Sequence, residues 1–421
     1  MDNSTLGKFK ENGALYGVRV LELGSTASGP FCGRMFADFG AEVVKVESPD
    51  GDPIRGLGHE YKGKSLYAAS ILRNKENISI NLRSKQGQDL IKRLLPEFDV
   101  VIENFRPGTL EKWGLGYDEL SKIKPDIILT RISGYGQTGP YSGKPGYGVI
   151  GEAMSGLRDL IGEPDRPPSR VAMPLTDYIT GIYSMIGTLM ALRVRDATGI
   201  GQVVDASLIE SAFSFVESQV PAYAQKNVMD TRSGSRLPNS APNTIFRCMD
   251  GEYVHIAALA DTVFRRLAHA MEQPALADDP RFKTQAARNA NEAEIERIVQ
   301  EWAQGKGSHQ IQALLDEAEV PATKIYNMKD IFADPHFKER NMLIQVPDDD
   351  LGNVTLAGVV PKLSATPGKV KWSGRRIGQD TESILSRYLG LSQAEINEME
   401  SSGVVYINRK ENTQADAPAK V

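Results

Sequence analysis

Short runs of aliphatic and β-branched residues alternate with amphipathic stretches over the first third of the chain. The apolar runs predict strands at residues 18–23, 42–47, 78–82, 100–103 and 127–132. After Ser84, leucines and isoleucines recur at helical spacing, which predicts a capped helix over 85–95. Because the strands are rich in Val and Ile on both faces and alternate with helices, we expect a mostly parallel sheet covered on two sides.

The rest of the chain predicts a second domain and a return to the first. Residues 225–242 are polar and contain Gly and Pro, as is typical of a linker, and a new unit begins at Thr244. The remaining helices are expected at 176–195, 207–224, 262–271, 292–302, 308–318 and 381–389, and the remaining strands at 203–205, 253–257 and 354–357. We therefore expect a large α/β domain over 1–225, a linker and small domain over 226–345, a return to the large domain over 346–408, and a flexible tail at 409–421.

Composition indicates a folded, water-soluble chain. Apolar residues make up 41% and charged residues 24% of the sequence, which favours neither disorder nor residence in a membrane. No apolar run reaches the roughly 20 residues of a membrane helix, and residues 1–17 lack the apolar segment of a signal peptide, so a cytoplasmic location is expected. The net charge of −5 disfavours nucleic-acid binding. Cys32 and Cys248 are too few for a disulfide framework, and no cluster of His, Asp and Glu has the spacing of metal ligands.

One glycine pattern invites a nucleotide-binding interpretation. Residues 134–139 match G-x-G-x-x-G after a predicted strand, as in dinucleotide-binding folds. Pro140, Pro145 and further glycines follow, so a helix cannot begin there. We expect an extended loop whose small side chains permit close backbone approach to a ligand, and no Rossmann phosphate site.

Several short motifs follow one another along the chain: 17–23 (GVRVLEL), 29–30 (GP), 40–47 (GAEVVKVE), 74–75 (NK), 103–108 (ENFRPG), 134–136 (GYG), 153–156 (AMSG), Asp177, 198–202 (TGIGQ) and 321–322 (PA). In this order they resemble the class III CoA-transferase family, the formyl-CoA transferase or CaiB-BaiF-like proteins, which also includes acyl-CoA racemases. The ordered set spans about nine-tenths of the chain and is specific, although each motif alone is weak. The resemblance implies a large discontinuous Rossmann-like domain with a smaller α+β domain, in an interlinked homodimer.

Asp177 is the candidate nucleophile. An Asp directly before an apolar helix ordinarily caps it and complements its dipole. By the resemblance, however, Asp177 is the family's nucleophile, which forms mixed anhydrides and an aspartyl-CoA thioester. We expect the helix N-terminus to help keep this carboxylate ionised. Tyr147 corresponds to a family tyrosine that lines the active site, with a buried structural role as the alternative. Glu152 is a further candidate acid, although a role on a helix face fits it better.

The resemblance also implies contacts with CoA. Its matched positions are Ser28, Ile80, Asn81, Leu82, Arg83, Asn104, Phe105, Arg106 and Lys112. Arg83, Arg106 and Lys112 are suited to phosphates, although ordinary surface charge is the alternative. The chain departs from the family at Ala27, where a supporting Gln is expected, and at Ser48, where a basic residue is expected. It also lacks a glycine-rich lid near 257–261.

These residues favour a CoA-transferase over two alternatives. A racemase needs a His followed by Asp where this chain has Tyr147 and Gly148, and a catalytically inactive CoA-binding protein would not need Asp177. We expect succinyl-CoA as donor, a small carboxylic or dicarboxylic acid as acceptor, and no tightly bound cofactor. A distal carboxylate has candidates in His59, Arg73, Arg232 and Arg236, each also explicable as surface charge.

Overall fold

A computed structural model of the chain describes residues 3–409. The predicted tail therefore lies outside the described residues, apart from Arg409. Contacts divide the chain into two units. The first contains the chain up to Leu157, Val171–Ser218 and the chain from Glu339 onward, and the second contains Arg158–Arg170 and Gln219–Lys338.

Strands and helices alternate through the first unit, and helices predominate in the second. The strands are β1 Arg19–Glu22, β2 Glu42–Glu47, β3 Glu60–Tyr61, β4 Lys64–Ser65, β5 Glu76–Ile80, β6 Val100–Glu103, β7 Ile128–Ser133, β8 Val203–Ser207, β9 Asn243–Arg247, β10 Tyr253–Ala257, β11 Ala322–Lys324, β12 Leu343–Asp348, β13 Gly352–Ala357 and β14 Val405–Tyr406. The helices are α1 Asn3–Asn12, α2 Ser28–Asp38, α3 Leu66–Ile71, α4 Lys85–Leu94, α5 Thr109–Lys112, α6 Tyr117–Ile123, α7 Gly148–Met154, α8 Leu175–Thr198, α9 Leu208–Phe213, α10 Gln219–Lys226, α11 Asp261–Ala270, α12 Gln285–Ala290, α13 Glu292–Gln304, α14 Ser308–Glu317, α15 Met328–Ala333, α16 Pro335–Glu339, α17 Thr381–Leu389 and α18 Gln393–Ser401. None of these helices is long and apolar enough to cross a membrane.

A seven-stranded sheet forms the first unit, in the order β14-β5-β2-β1-β6-β7-β8. All neighbours pair in parallel except β14, which runs antiparallel to β5 at the edge. The chain winds outward from β1 in one direction through β2 and β5, and in the other through β6, β7 and β8. The order therefore reverses between β1 and β6, and in open parallel sheets ligands bind at such a reversal, beyond the carboxyl ends of the strands.

Apolar side chains cover both faces of this sheet, as its Val- and Ile-rich strands require. On β1, Leu21 packs on one face with Leu90 and Ile91 of α4, whereas Val20 packs on the other face with Phe36 of α2. The fold class predicted from the alternating pattern is confirmed: the protein is α/β with a large, mostly parallel sheet.

The second unit has its own core. Three antiparallel strands in the order β11-β10-β9 carry Val254 and Ile256, and Phe264, Phe282 and helices α13 and α14 pack with them.

The predicted helix over 207–224 is wrong as one continuous element. The structure has α9, a 3-10 turn at Ser214–Val216 and α10. Pro221 explains the break, because it has no N–H to donate to the carbonyl of residue 217 and its ring would clash there. The sequence pattern also gave no prediction of α1, α18 or β14.

Three buried charges link the middle strands of the large sheet. Glu22 ends β1, and its carboxylate accepts a 2.6 Å hydrogen bond from Lys75 Nζ and lies 3.4 Å from Lys45 Nζ on β2. Burial lowers the pKa of Lys75, although Glu22 opposes this shift. Burial also acts to lower the pKa of Lys45, but the charges of Asp52 and Glu22 outweigh it and the pKa is raised. All these groups are buried, so each depends on its partners.

The same charges fix the loop that follows β1. Lys45 donates a hydrogen bond to the carbonyl of Gly24. Asp52 lies 2.9 Å from Lys45 Nζ, and it accepts a 2.9 Å hydrogen bond from the backbone N–H of Thr26. Thr26 has a φ of 67°, a left-handed conformation that is costly for a β-branched residue. The buried network thus holds this loop in a shape that it would not adopt alone.

Candidate active site

A cavity of about 1040 Å³ opens at the carboxyl ends of β1, β2, β5 and β6. Its walls come from residues 23–25, 45–53, 80–83 and 105–106, with Thr109, Trp113 and residues near β14. Six of the nine predicted CoA contacts lie together on this wall: Ile80, Asn81, Leu82, Arg83, Phe105 and Arg106. The cavity lies beside the reversal of strand order, where a ligand site is expected.

The walls of this cavity combine an aromatic edge with cationic side chains. Phe105 packs edge-on against Trp113, with ring centroids 5.1 Å apart. Arg83 and Arg106 are exposed, and among the described residues neither guanidinium has an acidic partner within 4 Å. Their N–H groups are therefore available to an anion. Lys112, the last residue of α5, is exposed and does not line the cavity.

The two other predicted CoA contacts, Ser28 and Asn104, lie where α2 begins. The side-chain oxygen of Asn104 accepts a 2.7 Å hydrogen bond from the backbone N–H of Ser25. Its amide nitrogen donates to the carbonyl of Ser25 at 2.8 Å and to Ser28 Oγ at 3.3 Å. Gly24 allows this approach, because a Cβ there would lie 2.9 Å from the Asn104 oxygen. Asn104 therefore ties the loops after β1 and β6 together at the reversal.

Asp177 lies in the first turn of α8, whose packing brings it close to the start of α2. Gly181, one turn later on the same face, has no room for a side chain. A Cβ there would lie 2.9 Å from Phe31 Cδ1 and 3.1 Å from the carbonyl oxygen of Ser28. The close contact of α8 with the first turn of α2 thus places Asp177 near the crevice where Ser28 and Asn104 meet.

The Asp177 carboxylate is partly buried and packs against backbone, and no side chain of residues 3–409 donates a hydrogen bond to it. Burial raises its pKa to about 6, and its own backbone N–H opposes the shift. A Cβ on Gly148 would lie 2.1 Å from Asp177 Oδ2, so only glycine fits where α7 begins. That the helix N-terminus helps to keep this carboxylate ionised stays a prediction, since burial shifts the pKa in the opposite direction. At pH 7 a group with this pKa is still about nine-tenths ionised.

Two further predicted residues lie on α7 or beside it. The Tyr147 side chain is 73% exposed, so it has no buried structural role in the described chain. Glu152 is 4% exposed, and among the described residues its Oε1 has no hydrogen-bond partner. Glu152 lies one turn after Gly148 and therefore on the same side of the helix.

An aromatic and cationic cluster beside Asp177 was missed by the sequence analysis. The hydroxyls of Tyr67 and Tyr178 are 2.9 Å apart, and the Tyr178 ring lies 4.6 Å from that of Phe31. The Arg34 guanidinium carbon lies 4.5 Å from the centre of the Phe31 ring. Burial and the Tyr178 hydrogen bond raise the pKa of Tyr67, the Asp177 charge raises it further, and Arg34 opposes them. Tyr178 follows Asp177 in sequence, but the positions of Phe31 and Arg34 depend on α2 packing against α8.

Three of the four residues suggested for binding a distal carboxylate form ion pairs with acidic side chains of the protein. Arg73 is buried and donates to both oxygens of Asp38. Arg232 pairs with Asp159 at 3.1 Å, and Arg236 pairs with Glu296 at 2.7 Å. His59 is exposed.

No helix begins directly after the glycine loop of residues 134–139, so the loop lacks the helix N-terminus of a dinucleotide-binding motif. Gly136 and Gly139 have φ values of 88°, and the next helix, α7, begins only at Gly148. Gly134 packs directly on Gly146, because a Cβ on Gly134 would lie 2.8 Å from the Gly146 Cα. The loop therefore leads the chain back toward Asp177.

Comparisons with known proteins agree over nearly the whole chain. A family model described as CoA-transferase family III matches residues 15–381. The succinyl-CoA–D-citramalate CoA-transferase of Chloroflexus aurantiacus is 47% identical over 390 residues, covering 92% of this chain and 97% of the relative. The succinyl-CoA–L-malate CoA-transferase beta subunit of the same organism is 39% identical over 396 residues, covering 93% and 98%.

Among solved structures, a CAIB/BAIF family protein from Brucella suis superimposes with a TM-score of 0.81. It is 35% identical in sequence, and the match covers 90% of this chain and all of that protein.

The raised pKa of Asp177 predicts a pH-dependent gain in stability for Asp177→Asn. Its folded pKa of about 6 exceeds the usual aspartate pKa of about 3.9, so the ionised carboxylate destabilises the folded state. This cost is complete above pH 6 and disappears as the pH falls toward 4. Thermal melting should show the variant about 2–4 °C more stable than wild type at pH 8, with the gain lost near pH 4.

The matched control is Asp118→Asn, at an exposed position of α6 where burial does not act on the carboxylate. Equal melting of wild type and Asp177→Asn at both pH values would contradict the assigned burial of the charge.

Proposed function

The chain belongs to CoA-transferase family III and is a CoA-transferase, and from this premise we propose that it moves CoA from succinyl-CoA to a small dicarboxylate through Asp177. The observation that carries the proposal is the position of Asp177, a partly buried carboxylate with no hydrogen-bonding side chain among the described residues, near the crevice at the start of α2. The relatives named for citramalate and malate suggest a hydroxy-dicarboxylate as acceptor.

The first half-reaction transfers CoA to the protein. Asp177 attacks the thioester carbonyl of succinyl-CoA, which forms a succinyl-aspartyl anhydride and expels CoA thiolate. The thiolate then attacks the aspartyl carbonyl of the anhydride. Succinate leaves with one oxygen that came from Asp177, and an aspartyl-CoA thioester remains.

The second half-reaction repeats these steps in reverse order with the acceptor. Its carboxylate attacks the aspartyl-CoA thioester, giving a second anhydride and CoA thiolate. The thiolate attacks the acceptor's acyl carbonyl, which releases the new acyl-CoA and regenerates the Asp177 carboxylate. No proton, water, metal or tightly bound cofactor is consumed, but water must be excluded because it would hydrolyse the anhydrides.

The environment of Asp177 suits a nucleophile. A carboxylate that accepts several hydrogen bonds is stabilised in its charged form and attacks poorly, whereas Asp177 has no such side-chain partner in the described part of the chain. Its pKa of about 6 still leaves it mostly ionised at neutral pH.

We assign the CoA moiety to the cavity lined by the predicted contacts. Arg83 and Arg106 would bind phosphates, because neither has an acidic partner among the described residues and both face the cavity. Phe105 offers an apolar surface, and Asn104 positions the loop of Ser25 and Ser28.

A racemase function lacks a residue for its chemistry. Exchange of an α-proton needs a base of near-neutral pKa beside the substrate. None of the histidines of the chain, His59, His255, His269, His309 and His336, lies in the glycine-loop segment where racemases of this family carry their base. Tyr147 and Gly148 occupy the places where a racemase carries its His and Asp.

A second copy of the chain is the proposed partner. Helix α8 exposes an apolar stripe at helical spacing, formed by Ile182, Ile186, Met190 and Val194. Phe213, at the end of α9, and Phe215 are exposed as well. Such a stripe is unusual on the surface of a monomer, and the family resemblance favours a homodimer. We also propose a cytoplasmic location, where a reducing environment suits the two free cysteines.

The proposed reaction is tested with purified protein, succinyl-CoA and one acid at a time, including D-citramalate, L-malate, mesaconate and glutarate. Mass spectrometry should detect a new acyl-CoA, and Asp177→Asn should reduce its formation roughly 1000-fold or more. An acceptor labelled with ¹⁸O in its carboxylate should leave the label on the peptide containing Asp177. New thioester without label on this peptide would exclude the aspartyl route, and no exchange with any acid would exclude the proposed function.

The CoA assignment predicts a specific effect of Arg106→Gln. Loss of one charged contact to a phosphate should raise the KM for succinyl-CoA about tenfold with little change in kcat, because the contact is equal in ground and transition states. Steady-state kinetics measures both. Arg93→Gln, an exposed arginine of α4 outside the cavity, is the matched control. An unchanged KM for Arg106→Gln would remove this residue from the CoA site.

The proposed homodimer predicts a solution mass twice that of the chain by light scattering. Met190→Glu should shift the protein toward monomer, because it introduces a charge into the apolar stripe. Met328→Glu, at an equally exposed methionine of α15, should leave the mass unchanged. A monomeric wild-type protein would contradict the proposal.

A further inference from the structure

The side chain of Arg34, in the middle of α2, is mostly buried but poorly paired. It is 17% exposed, and its Nε has no hydrogen-bond partner among the described residues. Its nearest acidic group is Asp38 Oδ2, at 3.7 Å from Nε. Burial and the neighbouring charge of Arg73 lower the pKa of Arg34 to about 10, although Asp38 opposes the shift. A buried guanidinium without hydrogen bonds is costly unless a ligand completes it.

Asp38 cannot serve as the full partner of Arg34, because other donors occupy its oxygens. Arg73 Nε donates to Oδ1 at 3.0 Å, and Arg73 Nη2 donates to Oδ2 at 2.6 Å. Asn74 Nδ2 adds a hydrogen bond to Oδ1 at 2.9 Å. Asp38 thus has a structural role with Arg73, and Arg34 makes only a loose contact at its edge.

Aromatic contacts connect Arg34 with the reactive carboxylate. The guanidinium stacks 4.5 Å from the centre of the Phe31 ring, and Phe31 packs on Tyr178, the residue after Asp177. The hydroxyl of Tyr67, bonded to Tyr178, is influenced by the charges of both Asp177 and Arg34. Both charges are therefore close enough to this pair of tyrosines to act on the Tyr67 hydroxyl.

Stacking leaves the N–H edge of a guanidinium free. The face of the group interacts with an aromatic ring, while the edge can donate two parallel hydrogen bonds to a carboxylate. Lysine lacks this geometry. The other arginines considered for a distal carboxylate, Arg73, Arg232 and Arg236, already use their donors in ion pairs within the protein.

We propose that Arg34 binds the non-reacting carboxylate of the dicarboxylate substrates while their other carboxyl group reacts at Asp177. The proposal rests on the proposed function and adds its basis for selecting diacids. The distal carboxylate of a succinyl group carries a full charge into a partly buried site, where it needs a cationic partner. Arg34 would supply this partner and would gain the hydrogen bonds that it lacks.

The test compares succinyl-CoA with butyryl-CoA, which has the same chain length without the distal charge. In Arg34→Gln, kcat/KM for succinyl-CoA should fall relative to kcat/KM for butyryl-CoA by roughly 10- to 100-fold, as expected for a lost hydrogen bond between charged groups. If butyryl-CoA reacts with neither protein, the inhibition constants of succinate and butyrate give the same ratio. Arg34→Lys should restore part of the preference, since it keeps the charge without the bidentate edge.

Arg297→Gln is the matched control, because Arg297 lies at the surface of α13 and pairs with Glu301. It should leave the ratio unchanged. An equal loss with both thioesters in Arg34→Gln would show a structural role and overturn the proposal, and so would an unchanged ratio. These outcomes are distinct from failure of the proposed function, in which wild-type protein transfers no CoA from succinyl-CoA to any acid.

Discussion

The ion network of Glu22, Lys45 and Lys75 is the constraint on which the ligand site depends. Three charges are buried beside the middle strands, and removing one would leave a buried partner with less compensation, which is costly. Gly33 completes the arrangement, since a Cβ there would lie 1.9 Å from Glu22 Oε2. Through Asp52 and the carbonyl of Gly24, the network fixes the loop that opens the sheet at its reversal of strand order. Asn104 then joins this loop to the end of β6, and α2 begins beside it.

The position of Asp177 follows from the same arrangement. Helix α8 can approach α2 only because Gly181 has no side chain, and the Asp177 carboxylate can lie against α7 only because Gly148 has none. These two close contacts exclude the groups that would otherwise solvate the carboxylate, so its pKa rises. The absence of side chains at Gly148 and Gly181 thus allows the close packing that raises the pKa of Asp177.

Sequence predicted the sheet well because its strands are apolar on both faces, a pattern that few other structures share. The family resemblance pointed to residues 80–83 and 105–106, which form one part of the cavity wall. It did not reveal that Glu22, Lys45 and Lys75, which lie in the motifs that carry the family resemblance, form one buried cluster. Contacts between residues distant in sequence leave no periodic pattern. For the same reason the partners of Arg73 and the isolation of Arg34 could be found only in the folded chain, and the burial of Asp177 reversed the pKa shift expected from its helix.

In the proposed cycle, the charges of Asp177 and Arg34 act together on the binding of the acceptor. Before reaction, Asp177 repels a free dicarboxylate, so the acceptor cannot easily approach the thioester of the donor. Once Asp177 is converted to the neutral aspartyl-CoA thioester, its negative charge is gone and Arg34 remains. The local field then favours a dianionic acceptor at the moment when its attack is productive. The acceptor would therefore bind after succinate has left, because both anions use Arg34 and a free dicarboxylate is no longer repelled once the aspartyl group is neutral.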